Sequence, residues 1–110
     1  VLLNDPTFVE AARVLATRVI QEHPEKQFDA QLKWLMQQAL TREPRQDEIK
    51  LLKTLYEEDL QAYRQSPKAA AEILSVGLNP PPEKIDQAEL AAWTSVSRAV
   101  LNLHEMITSY

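Results

Sequence analysis

The chain closes with "AAWTSVSRAVLNLHEMITSY", residues 91–110, and the reading of this stretch decides the fold. Trp93, Val96, Val100, Leu103 and Ile107 step by three, four, three and four residues, which is the seam of a helix packed along another helix. Asp86 and Glu89 upstream make an Asp-x-x-Glu start resembling a capping box. Together they predict a helix running to about Thr108. A helix of this kind needs partners, and the rest of the chain supplies them.

Just before it stands "LNPPPEKI", residues 78–85. Three consecutive prolines cannot be helical and favour an extended, semi-rigid segment, so this is the expected linker. The single glycine, Gly77, reads as the left-handed stop of a short alanine-rich helix from Pro67 to Val76, with Ser66 as its cap. Further back, Asn4-Asp5-Pro6 supplies a cap and a first-turn proline, and Phe8, Ala11, Ala12, Leu15 and Val19 follow at helical spacing. This first helix is expected from Pro6 to Glu22, where His23-Pro24 stops it. A second stripe comprises Phe28, Leu32, Leu35, Met36, Ala39 and Leu40, and a third Ile49, Leu52, Leu55, Tyr56, Leu60 and Tyr63. No alternating run reaches strand length. The expectation is an all-α bundle of four main helices plus one short helix, packed mainly antiparallel because most connections are short.

With 110 residues the chain has the length of one domain that can build a core without staples. It has no cysteine, which removes disulfides, thiolate zinc sites, thiol nucleophiles and covalent haem attachment from these residues. A net charge of −4 disfavours nucleic acid as a partner. No run is long and apolar enough for a membrane-spanning helix. The chain opens on Val1-Leu2-Leu3 with neither an initiator methionine nor a signal-peptide pattern, and is expected to be a piece of something longer or a processed product.

Polar residues on the helices have plain readings. Trp93, mid-seam, is expected in the core. His104 and Glu105 are adjacent and so lie about 100° apart on a helix, which prevents them from acting as a metal pair on one face; a structural or solvent role is expected for His104. His23 is read as a cap at a helix end. The Glu-x-x-His pair of di-iron bundles is missing, because Ile20 and Leu101 stand three residues before the two histidines. Glu57-Glu58-Asp59 reads as a solvated face, with Lys53 and Glu57 spaced to pair. Arg42, Arg45, Lys50 and Lys53 could suggest a DNA-binding helix-turn-helix, but acidic Glu43, Asp47, Glu48 and Glu57 interleave with them. No phosphate loop, serine elbow or paired-carboxylate motif is recognisable, so no catalytic, cofactor-binding or metal-binding residue is assigned.

In order, "LLNDPTFVEAARVLATRVI", "QQALTREPRQDEIKLL", "SPKAAAEILSVG" and "AELAAWTSVSRAVLNLHEMITSY" resemble the C-terminal part of a planctomycete-specific domain of unknown function. That domain closes large proteins that often carry cytochrome-c-like modules nearer the N-terminus. The resemblance implies an exported, multi-domain parent whose haem-binding motif would lie outside these residues, and it implies no catalytic residue within them. This chain departs from the family pattern at Thr41, where glycine is usual, at Arg45, where threonine caps the helix, and at His104, where aspartate is usual. The first two departures would weaken a helix stop and a helix start, leaving residues 42–46 less sharply defined than in relatives. The third argues against an obligatory chemical role for His104.

Two functions follow as expectations. The first is a non-catalytic helical module docking on the parent's other domains or on a partner protein. The rival is one wall of an active site, redox or polysaccharide-directed, completed by upstream domains; a cleft lined by Trp34, Tyr56, Tyr63 or Trp93 beside a perturbed carboxylate would favour it. Self-association through an exposed helix stripe is a third possibility.

Overall fold

The computed structural model describes residues 6–77 and 84–108, and side-chain surroundings for those up to Leu103. Five helices follow one another: α1 (Pro6–Glu22), α2 (Phe28–Leu40), α3 (Gln46–Gln65), α4 (Pro67–Leu74) and α5 (Gln87–Thr108). No strand occurs among the described residues. The all-α bundle of four main helices and one short one is therefore the architecture, and proline punctuation marks its breaks. The expected cap at Asn4-Asp5 and the proline linker at 80–82 lie outside the described residues.

The fold is organised around α5, which packs against each of the other four helices. Leu90, Ala91, Ala92, Trp93, Thr94, Val96 and Ser97 are all buried, so this part of α5 is covered on every side rather than along one seam. The reason lies in its small residues. Ala91, Ala92, Thr94 and Ser97 let neighbouring backbones approach the faces that Trp93, Val96 and Val100 do not fill.

Close approach also rotates the buried stripe of α1. Val9, Ala12, Ala16 and Val19 are the buried apolar residues there, whereas Ala11 is exposed and Phe8 and Leu15 are half-buried. The helix thus presents its narrowest side to α5, with the larger side chains flanking the contact. The second stripe is placed as expected, with Leu32, Leu35 and Met36 fully buried.

The buried hydroxyls of Thr94 and Ser97 on α5 fare differently. Thr94 Oγ1 donates to the Leu90 carbonyl at 2.7 Å, while Ser97 Oγ is buried with no hydrogen-bond partner. A buried, unsatisfied hydroxyl costs free energy that an apolar group of similar size does not. Ser97→Ala is expected to be neutral or to stabilise by up to about 1 kcal/mol in urea unfolding.

Helix ends show which local rules the chain obeys. Ser66 accepts from the Ala69 N–H at 3.4 Å and Pro67 occupies the first turn of α4, as expected. This helix ends at Leu74, two residues sooner than predicted, and Gly77 takes φ +103 just beyond it. A Cβ at Gly77 would meet Glu10 Cβ at 2.7 Å, so the glycine serves the packing of the chain against α1 as well as the turn.

Thr41, after α2, stands in the left-handed region at φ 55 and ψ 33, a conformation that costs a β-branched residue roughly 1–2 kcal/mol. Its hydroxyl donates to the Leu40 carbonyl at 2.6 Å and offsets part of that. Thr41→Gly is expected to stabilise by about 0.5–1 kcal/mol, read from the shift of the urea midpoint at constant slope.

Candidate functional site

Trp93 is 1% exposed and lies in a closed aromatic cluster. Phe28 stacks on it at 5.2 Å and 18°, and Tyr56 tilts against it at 5.1 Å and 44°. Phe28 and Tyr56 also meet at 5.4 Å, which closes the triangle. Burial pushes the Tyr56 phenol up to about 12, with the nearby Glu89 carboxylate adding to the rise and Arg64 opposing it. Trp93 is core, as the seam predicts, and Phe28 and Tyr56 are half-buried rings packed against it.

Over one edge of that cluster lies a charged network. Glu89, 12% exposed, accepts from Lys26 Nζ at 2.9 Å and faces Arg64 at 3.6 Å; Arg64 also bonds Asp86 at 3.2 Å. Only half of the expected capping box at α5 forms. Asp86 accepts from the Glu89 N–H at 3.1 Å, but the Glu89 carboxylate turns to the two cations instead of reaching back. Charge-assisted bonds outweigh a neutral backbone donor. Burial works to raise Asp86, yet its backbone bonds and Arg64 hold it below the ordinary carboxylate value.

A second ion pair fixes the start of α3. Arg42 donates from both terminal nitrogens to Glu48, at 2.7 and 2.8 Å, and the Arg45 N–H donates to the same carboxylate at 2.9 Å. A guanidinium has no acceptor, so Arg45 cannot cap α3 as threonine would; Asp47 Oδ1 takes the Glu48 N–H at 3.0 Å in its place. The segment 42–46 is therefore held by side chains without a threonine at 45. The Arg42 hydrogen bonds, opposed by burial, hold Glu48 at about 2. With Arg42 committed to Glu48 and Arg45 facing Asp47 at 3.5 Å, these basic residues have acidic partners inside the chain.

Other expected positions fall as follows. Glu57 and Glu58 are exposed and Asp59 half-buried, but Lys53 and Glu57 do not form the ion pair their spacing allows. His23 does not cap α1 with its ring: Nδ1 bonds Glu25 Oε1 at 2.7 Å, the nearer and charged acceptor, while the His23 backbone N–H donates to Val19 O at 3.0 Å. Asn102, half-buried, lines two surface cavities on the α3–α5 side. The side chains of His104 and Glu105 lie outside the described ones. No group of three or more potential metal-ligating His, Cys, Asp or Glu residues occurs among the described residues.

Of the four aromatics that were to discriminate the two functions, Tyr56 and Trp93 belong to the core, while Tyr63 and Trp34 border cavities. Tyr63 lines a cavity of about 640 Å³ between α3, α4 and the start of α5, with Arg64 and Asp86 at its rim. Sequence reasoning missed Glu89, whose partners are 63 and 25 positions away, and Arg42–Glu48, whose six-residue spacing spans a loop. No periodic pattern marks either.

A family profile described as PSD1, protein of unknown function (DUF1553), matches residues 1–56. The chain belongs to this family. No curated protein and no solved structure matched it in the same comparisons. The PSD1 match takes in α1, α2, the Arg42–Glu48 pair and α3 as far as Tyr56, and stops short of α4 and α5.

Proposed function

We propose that this chain is a non-catalytic helical module of a larger, exported planctomycete protein, and that it docks on that protein's other domains. PSD1 membership and the resemblance of its helical blocks support the parentage, and any haem of the parent would sit in those other domains. The observation that carries the docking role is Leu51, 71% exposed on α3. It stands beside Leu52, Ala99 and Leu103 in a groove of about 350 Å³ that Arg45 and Asp47 border. An apolar strip with a charged rim has the anatomy of a protein contact.

NMR titration of the chain with the remainder of its parent tests this. Amide shifts are expected at Leu51, Leu52, Ala99 and Leu103, and Leu51→Asp should abolish them; no shift anywhere excludes docking. The alternative, one wall of an active site, has the cavity at Tyr63, Arg64 and Asp86 in its favour. Shifts confined to that cavity would displace the docking surface proposed here. The low pKa of Asp86 leaves it ionised, able to orient a cationic or hydroxyl group but unsuited to donating a proton.

A further inference from the structure

Trp34 on the outer side of α2 is half-buried, and its indole is held from the α1 side. The Arg18 guanidinium lies 5.1 Å from the ring centroid, and the His23 ring meets it edge-on at 6.4 Å and 67°. A cation over the face and a T-shaped neighbour fix a ring in place at the surface. A cavity of about 290 Å³, which Arg18 does not line, opens beside the indole among His23, Lys33, Gln37 and Gln38.

Lys33 Nζ pairs with Glu43 at 3.1 Å, His23 Nδ1 meets Glu25 at 2.7 Å, and Arg18 sits on the indole. An anionic ligand would compete with Glu43 for Lys33 and with Glu25 for His23. What stays open is uncharged: the exposed amides of Gln37 and Gln38, three and four residues beyond Trp34 and so on its side of the helix. Each amide offers two donors and an acceptor.

An indole bordering a cavity, with exposed amides on the same side of the helix, suits one ligand chemistry best. The negative face of an indole attracts the weakly positive C–H hydrogens on the flat side of a pyranose. Hydroxyls around that ring both donate and accept, as amides do. The cavity is at the small end of ligand pockets, enough for one ring rather than a long chain. We propose that Trp34, Gln37 and Gln38 form a subsite for one ring of a neutral saccharide. This surface lies on α2, apart from the Leu51 groove, and does not depend on docking.

The test is an amide-correlation NMR titration of the whole chain with neutral hexasaccharides of glucose, mannose, xylose and galactose, and with adenosine as a planar-ring control. At least one saccharide is expected to shift the Trp34 indole N–H and the Gln37 and Gln38 side-chain amides saturably, in the millimolar range. Trp34→Ala should abolish the response. Because that variant could lose structure, the double variant Gln37→Ala with Gln38→Ala, at exposed helical positions, should weaken binding by roughly tenfold while the fold persists. The proposal is overturned if no hexasaccharide moves these signals, if the folded double variant binds as the parent does, or if adenosine binds more tightly than every saccharide.

Discussion

Trp93→Ala is expected to lower the stability of the chain by about 3–5 kcal/mol. The side chain is 1% exposed, so its truncation removes a large apolar surface from a site that water does not reach and leaves a cavity in the middle of α5. Phe28 and Tyr56 each lose a ring partner at once, at 5.2 and 5.1 Å. Aromatic pairs carry roughly 0.5–1.5 kcal/mol beyond their area, which places the loss in the upper half of the range. Urea unfolding measures it directly. A variant whose midpoint stays near that of the parent would mean that the aromatic triangle is not the packed core described here.

The second large effect appears in acid. Glu48 titrates at about 2 in the fold against an ordinary value of 4.5, because Arg42 and the Arg45 N–H favour its charged form. A carboxylate with a depressed folded pKa contributes stability that is fully present above its unfolded value and disappears as pH falls through the folded one. The window is therefore from about 4.5 down to about 2. Taken in full, the difference corresponds to roughly 3 kcal/mol. Arg42 is 35% exposed, however, and solvent screening brings the expected contribution to on the order of 1–2 kcal/mol. Asp86 titrates in the same direction, so the parent alone does not isolate Glu48. In unfolding profiles, the difference between the parent and Glu48→Gln should be full above about pH 4.5 and shrink as pH falls to about 2. Parallel profiles would show that the pair contributes nothing.

Most of this architecture was legible in the chain because its signals are local. Prolines at 24, 44 and 67 fall in or beside the breaks between helices, and the Leu32-Leu35-Met36 stripe needs only helical spacing to be read. Sequence spacing predicted one buried face for α5, since periodicity weighs large apolar residues and passes over Ala91, Ala92, Thr94 and Ser97. Those small residues show that α5 is surrounded only once the other helices are in place. The missing half of the α5 capping box has a non-local cause: Glu89 occupies a position where a local rule applies, yet cationic partners brought in by the fold decide the outcome. At the surface, Trp34 and Leu51 read as ordinary members of amphipathic helices; their exposure depends on which neighbours stop short of them.

The arrangement in which α5 touches every other helix bears on how the protein is made. A ribosome makes α1 to α4 before α5, and α1, α3 and α4 pack mainly against that segment not yet synthesised. Until α5 emerges, Leu32, Leu35, Met36 and the Val9–Val19 stripe lack part of their native cover, and chance association is the alternative. Emergence of α5 is then the moment at which the core can be completed. A chain arrested before Trp93 should be bound by chaperones, while one arrested after the whole of α5 has emerged should escape them.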